Sequence, residues 1–192
     1  MIFKENKAQA AAPFELFVAV IIMAFVVVMG YTVLGTVNTE VCLNNVDKEM
    51  IKFKIALEDT ANRNSSQAFS FMPPTACFDS KNTIMKIDVG KDSTCASRCG
   101  SMLSECYIMT FSNPDISNAF KQKCIDLPQY TSFPTDAPLC DDSTLAGTGF
   151  STVNPIEGGK AGIQPGRYVV RNVSPTGDTY KKICVWYNAS SG

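Results

Sequence analysis

Histidine is absent from all 192 residues. Its absence removes the common nucleophilic triads, the usual hydrolytic zinc sites and most general-base schemes. No glycine-rich phosphate-cradling motif is present either. Charge of one sign is not in excess: 17 Lys and Arg against 18 Asp and Glu leave a net charge of −1. With no basic patch carrying interleaved aromatics, nucleic acid is set aside as a partner. Carboxylate pairs stay open as a hydrolytic route that sequence does not reveal. Otherwise no catalytic residue stands out, and the expectation is a protein that is not an enzyme and uses no cofactor.

Charge is also missing from Leu16 to Val37, 22 consecutive residues that are nearly all apolar. About 20 such residues cross a hydrocarbon core as a helix. The run is apolar on every face, which suits lipid or a tightly packed helical core. Lys4 and Lys7 precede it, and the first charges after it are Glu40 and Asp47. The positive-inside rule then puts the N-terminus in the cytoplasm and the remainder outside, with membrane lipid as a partner. The run exceeds the roughly 7–15 residues of a secretory signal's hydrophobic region, and Gly30-Tyr31-Thr32 is a poor cleavage site, so the segment is expected to be retained. Neither proline nor glycine interrupts Thr36 to Ala61. Val37, Val41, Val46, Met50, Phe53, Leu57 and Ala61 mark an apolar stripe at helical spacing. One helix of about 50 residues from Pro13, roughly 70 Å long, is expected, its 38–62 part amphipathic and packed on a sheet.

All eight cysteines follow the apolar run: Cys42, Cys77, Cys95, Cys99, Cys106, Cys124, Cys140 and Cys184. Metal sites use Cys or His in short chelating pairs, and only Cys95 and Cys99 are that close. Scattered, even-numbered cysteines on the oxidising side read as disulfides, with metal or iron–sulfur ligation as the alternative. Eight cysteines allow 105 pairings, so the connectivity stays open. Cys42 would tie the helix to the following domain, and Cys184 would pin a strand.

Beyond the helix, residues 63–192 read as a β-rich head, making the fold class α+β. Arg63–Ser70 and Pro73-Pro74 read as a linker. Ile84–Val89 alternates, with Met85, Ile87 and Val89 on one face. Tyr107–Phe111 is a short strand, and Cys124–Leu127 a weaker one. Asp136–Gly166 reads as coil or a partner-facing loop. Arg167–Val173 and Tyr180–Tyr187 flank a turn cluster and predict a hairpin. Asp141-Asp142 with Glu157 lacks calcium-loop spacing and reads as a solvated acidic turn, so no metal is expected. Three N-glycosylation sequons begin at Asn64, Asn172 and Asn188, against about two expected from this composition by chance.

The segment Lys7-Ala8-Gln9-Ala10-Ala11-Ala12-Pro13-Phe14-Glu15 places a basic residue and small residues before an apolar block with one glutamate. Here the chain resembles the class III signal segment of type IV pilins, most closely the archaeal pilin-like proteins, over about its first 35 residues. The resemblance implies a leader at residues 1–8, removed by a prepilin-type peptidase with Lys7 and Ala8 before the cut and Gln9 as the new N-terminus. Residues 9–37 would then be the transmembrane and assembly helix. Glu15 would neutralise a neighbouring subunit's N-terminal amine. The family glutamate commonly falls at the fifth mature residue. Cutting after Ala8 makes Glu15 the seventh and cutting after Ala10 the fifth, so both cuts stand. On its own, Glu15 also reads as a headgroup-level residue complementing the helix dipole beside Pro13. The functional expectation is a major or minor pilin of an archaeal surface filament, with copies of itself or other pilins as partners. The alternative is a single-pass anchored extracellular binding or adhesion domain that never polymerises.

Overall fold

The computed structural model describes residues 11–78, 82–100, 105–116, 119–134, 140, 142–156, 162–174 and 180–189, with side chains from residue 14 onward except at 143. The chain divides into two compact units, Met1–Val41 and Cys42–Gly192. Helix α1 (Ala11–Arg63) contributes to both. The fold is α+β, one long helix followed by two sheets and four disulfides. With no proline or glycine after Gly35, the backbone ladder of α1 runs unbroken to Arg63. It stops where Asn64 adopts φ 52°, the left-handed conformation that ends many helices.

In the second unit α1 buries one face. Val46, Met50, Phe53, Leu57 and Ala61 are buried, as the stripe predicts. Val37 and Val41 are not, at 47% and 54% exposed. The period explains the difference: at about 100° per residue, Val41 lies roughly 140° and Val37 roughly 180° around the helix from Val46. Cys42 and Leu43 take the buried positions instead. Full burial of a side chain such as Met50, Phe53 or Leu57 contributes about 1.5–3 kcal/mol.

The first sheet holds β1 (Ser66–Phe71), β7 (Gly166–Val173) and β8 (Lys181–Asn188) in that order, all antiparallel. The far edge of β8 is shared end to end by β5 (Thr131–Ser132, parallel) and β6 (Ser151–Val153, antiparallel). The second sheet is β2 (Ile84–Lys91), β3 (Glu105–Ser112) and β4 (Phe120–Ile125), with β3 central. One core joins the α1 stripe to Phe71, Tyr168, Val170 and Ile183 of the first sheet and to Met85, Ile87, Met109 and Phe111 of the second. An ion pair and a hydrogen bond add to this between α1 and β4 with the residue after it: Lys123 meets Asp47 at 2.9 Å, and the Asp126 amide donates to Glu58 at 2.7 Å.

The cysteines pair as 42–77, 95–106, 99–124 and 140–184. The first ties α1 to the segment after β1, as expected of Cys42, and the last pins β8. The other two fasten the short helix α2 (Ser93–Cys99) onto β3 and β4, closing a small satellite core around Ile108. Gly90 of β2 lies under that core, where a Cβ would come 2.8 Å from the Cys106 sulfur.

Several sequence expectations need correction. The 63–70 linker contains β1, whose Ser-Gln-Ala-Phe-Ser-Phe run alternates outward and inward but carries too little apolar weight to announce itself. Val89 stays 40% exposed although Met85 and Ile87 on the same face are buried. The strand assigned to 124–127 lies at Phe120–Ile125, ended before Pro128. The stretch 136–166 is not all coil: it forms α3 (Ser143–Ala146) and β6. At Pro155 and Ile163 it meets the outer edge of β2. There the Ile87 amide donates to the Pro155 carbonyl at 3.0 Å and the Ile163 amide to the Met85 carbonyl at 2.7 Å. The predicted hairpin forms from β7 and β8, and its turn at 175–179 lies outside the described residues.

That edge cover requires Gly162, because a Cβ there would stand 2.3 Å from the Met85 carbonyl oxygen. Gly162→Val is therefore expected to destabilise the head by about 1–3 kcal/mol, the usual range for overpacking. Thermal unfolding under non-reducing conditions measures it. Disulfide mapping of the same sample is expected to recover the four pairs and no labelled thiol.

Candidate functional site

The chemistry-bearing feature of the first unit is its helix surface. Every side chain from Phe14 to Asn38 is exposed. By length and composition, α1 is the one helix among the described residues that can cross a membrane. Three of its threonine hydroxyls bond back to the helix: Thr32 donates to Met29 O at 2.9 Å, Thr36 to Thr32 O at 3.1 Å and Thr39 to Gly35 O at 3.1 Å. Such back-bonding satisfies these three hydroxyls without water, which suits a helix in an apolar medium.

Two glycines interrupt this surface. A Cβ at Gly30 or Gly35 would meet nothing within 4 Å. Neither is required by the packing of the described residues, yet glycine inside a helix costs about 0.5–1 kcal/mol relative to alanine. Glu15 is exposed between Phe14 and Leu16, the single carboxylate from Phe14 to Thr39. Lys7, Ala8 and Gln9 lie outside the described residues. Sequence reasoning missed a second feature on α1: Ile51 and Ile55, one turn apart, are 37% and 49% exposed. Their spacing relative to the buried stripe was the available signal.

In the head, the structure distinguishes the three sequons. Asn64 is exposed at the end of α1. Asn172 is half-buried in β7, its Nδ2 donating to the Ala61 carbonyl at 3.3 Å and its Oδ1 buried. Asn188 donates from Nδ2 to the Thr148 carbonyl at 3.2 Å. The acidic turn also has an assigned partner. Asp142 accepts from the Thr144 amide at 2.9 Å and from Arg171 at 2.7 Å, so it caps α3 and pairs with β7. The Thr144 hydroxyl and amide, then Leu145 and Arg171, hold its carboxyl below the ordinary range. Asp141 and Glu157 lie outside the described residues. Among the described residues no group of three His, Cys, Asp or Glu side chains is placed to hold a metal.

Comparison with protein-family models, curated proteins and solved structures finds no match to this chain. Function therefore has to be argued from the helix surface and the head themselves.

In a host that modifies Asn-X-Ser sequons, glycopeptide mapping of the folded protein is expected to find Asn64 occupied and Asn172 unmodified. A glycan on Asn172 would mean that its contact with Ala61 does not form.

Proposed function

We propose that this chain is a type IV pilin-like subunit, major or minor, of an archaeal surface filament, assembled through α1 and without enzymatic activity. The observation that carries the reading is the single helix with two different surfaces. It is nearly all apolar and exposed from Leu16 to Val37, then buried on one face from Cys42 within a disulfide-bonded head. The orientation that fits puts the charged N-terminus in the cytoplasm and the head outside, where the four disulfides form and persist. A prepilin-type peptidase would remove the leader after Ala8 or Ala10, and the helix would rest in the bilayer until it joins other copies.

The physics of that transfer is favourable. Lipid tails are as apolar as leucine, so moving the helix from bilayer to bundle gains little from hydrophobicity and depends on packing. Gly30 and Gly35, unexplained within one subunit and about 140° apart around α1, would each let a different neighbouring helix approach closely. Ile51 and Ile55 extend an apolar contact along the head's part of α1. Glu15 is the element that a plain anchor does not need. Buried among helices it would be costly unless paired, and the newly exposed N-terminal amine of a neighbour supplies the opposite charge. Adhesion would then be a property of the displayed heads.

Intact-mass analysis of surface fractions is expected to find the N-terminus at Gln9 or Ala11. Glu15→Ala is expected to leave membrane insertion unchanged while filament yield falls by roughly tenfold or more, the scale of a lost buried pair. An intact Met1 with no high-molecular-weight assembly would overturn the filament reading and leave a single-pass anchored ectodomain.

A further inference from the structure

We propose that the head carries a binding site for a neutral oligosaccharide, in the cleft where the loop after β4 meets the start of β8. The cleft has a volume of about 620 Å³ and is lined by both aromatic and polar side chains. That volume lies within the ~300–1,000 Å³ of small-ligand sites.

Tyr130 is set apart by its backbone. Three non-glycine residues among those described have positive φ: Asn64, Asp92 and Tyr130. Asn64 ends α1, where asparagine tolerates the left-handed region, and Asp92, at φ 30° and ψ −95°, is a short polar residue leading into α2. Tyr130, at φ 63°, does not belong to that class. Two backbone bonds hold it: Thr131 N–H donates to Pro128 O at 3.1 Å, and Lys181 N–H to Tyr130 O at 2.8 Å. Glycine would make this turn without strain. Instead the chain holds a large ring there and leaves it 62% exposed. Strain of this kind, held in place by the surrounding structure, concentrates at ligand clamps.

The ring has a companion. Tyr180, 48% exposed, lies with its centroid 5.6 Å from that of Tyr130, the planes inclined at 63°. Lys182 places its ammonium 5.9 Å from the Tyr180 centroid and donates to Ser132 Oγ at 3.0 Å. Gln129 and Asp126 line the same cleft. Two exposed rings with donors and acceptors beside them suit a ligand that has apolar C–H faces and many hydroxyls. The C–H faces of a pyranose meet the negative faces of the rings, and its hydroxyls replace water at Gln129, Ser132 and Asp126. Charge weighs against a simple ion of either sign: Asp126 and Glu105 on the lining oppose an anion, Lys182 opposes a cation, and the polar lining disfavours a purely apolar guest. The site needs no assembled filament.

The test uses the full-length chain in a detergent without a sugar headgroup. It is titrated with neutral gluco-, manno- and chito-oligosaccharides while heat and tyrosine fluorescence are followed. Saturable sub-millimolar binding of at least one is expected, weakened roughly tenfold or more by Tyr180→Ala and by Tyr130→Gly. Tyr130→Gly should also keep or raise the unfolding midpoint, because it relaxes the backbone while removing the ring. That combination separates a binding ring from a packing ring. The proposal is overturned if no saccharide binds at millimolar concentration, or if binding survives both substitutions. It is equally overturned if Tyr130→Gly lowers the midpoint, or if unstructured peptides bind through Tyr130 and saccharides do not.

Discussion

The Phe53 ring on α1 stands edge-on to three others at centroid distances of 5.0–6.0 Å: Phe69 and Phe71 of β1 and Tyr168 of β7. Through this cluster the helix, the strand that follows it and a strand a hundred residues later become one packing unit. Tyr168 extends it further. Its hydroxyl donates to the Gln164 carbonyl at 2.6 Å and accepts from the Gln164 amide at 2.9 Å; burial, with a smaller push from Tyr187, raises the phenol's pKa well above its ordinary range, against the lowering effect of the Gln164 bond. The loop at 162–165 is thereby held against the core, and its Ile163 closes the edge of β2. Both sheets thus depend on one aromatic contact with α1.

The same helix has to satisfy two solvents, and its sequence changes where its surroundings do. Up to Val41 no face is reserved for a core. From Cys42 the buried positions recur at three and four, and polar or charged residues occupy most of the rest, Ile51 and Ile55 excepted. The Cys42–Cys77 bridge sits at the first of those buried positions, so the head's core is fastened at the residue where it begins. A head of this size buries only a modest apolar area, and each native bridge adds roughly 2–4 kcal/mol by restricting the unfolded chain. Two of the four are devoted to α2, a helix of 7 residues that could not persist without tertiary support.

How much of this was legible depended on the length and contrast of each signal. The apolar run, the α1 stripe beyond Val46, the β7–β8 hairpin and the head's dependence on disulfides all carry strong periodicity or strong composition. The β1 strand did not, because its inward phenylalanines alternate with Ser, Gln and Ala, and only the pairing with β7 makes it a strand. Likewise α2 is a polar seven-residue segment that folds because Cys95 and Cys99 are bonded to β3 and β4. Disulfide pairing is a property of three-dimensional proximity, and spacing left it open among 105 arrangements. The sequons at Asn64 and Asn172 look alike in sequence, and only burial separates an exposed helix end from a side chain bonded to Ala61. Tyr130 carried no local mark at all, since the positive φ that sets it apart arises from a turn closed by Lys181.

These contrasts bear on how function is distributed along the chain. Where a residue's local rule is obeyed, as at Asn64 or Gly162, folding alone explains it. Where the rule is broken without benefit to the fold, another selective reason is required. The glycines at 30 and 35 weaken a helix that has no steric need of them, and Tyr130 strains a backbone that glycine would relax. The first pair concerns a surface that lipid or another helix must cover; the second concerns a cleft facing water. Their physical demands differ, since one favours close apolar packing and the other a desolvated ring beside hydrogen-bonding groups. An apolar helix surface and a water-facing cleft are therefore constrained separately, each by its own surroundings.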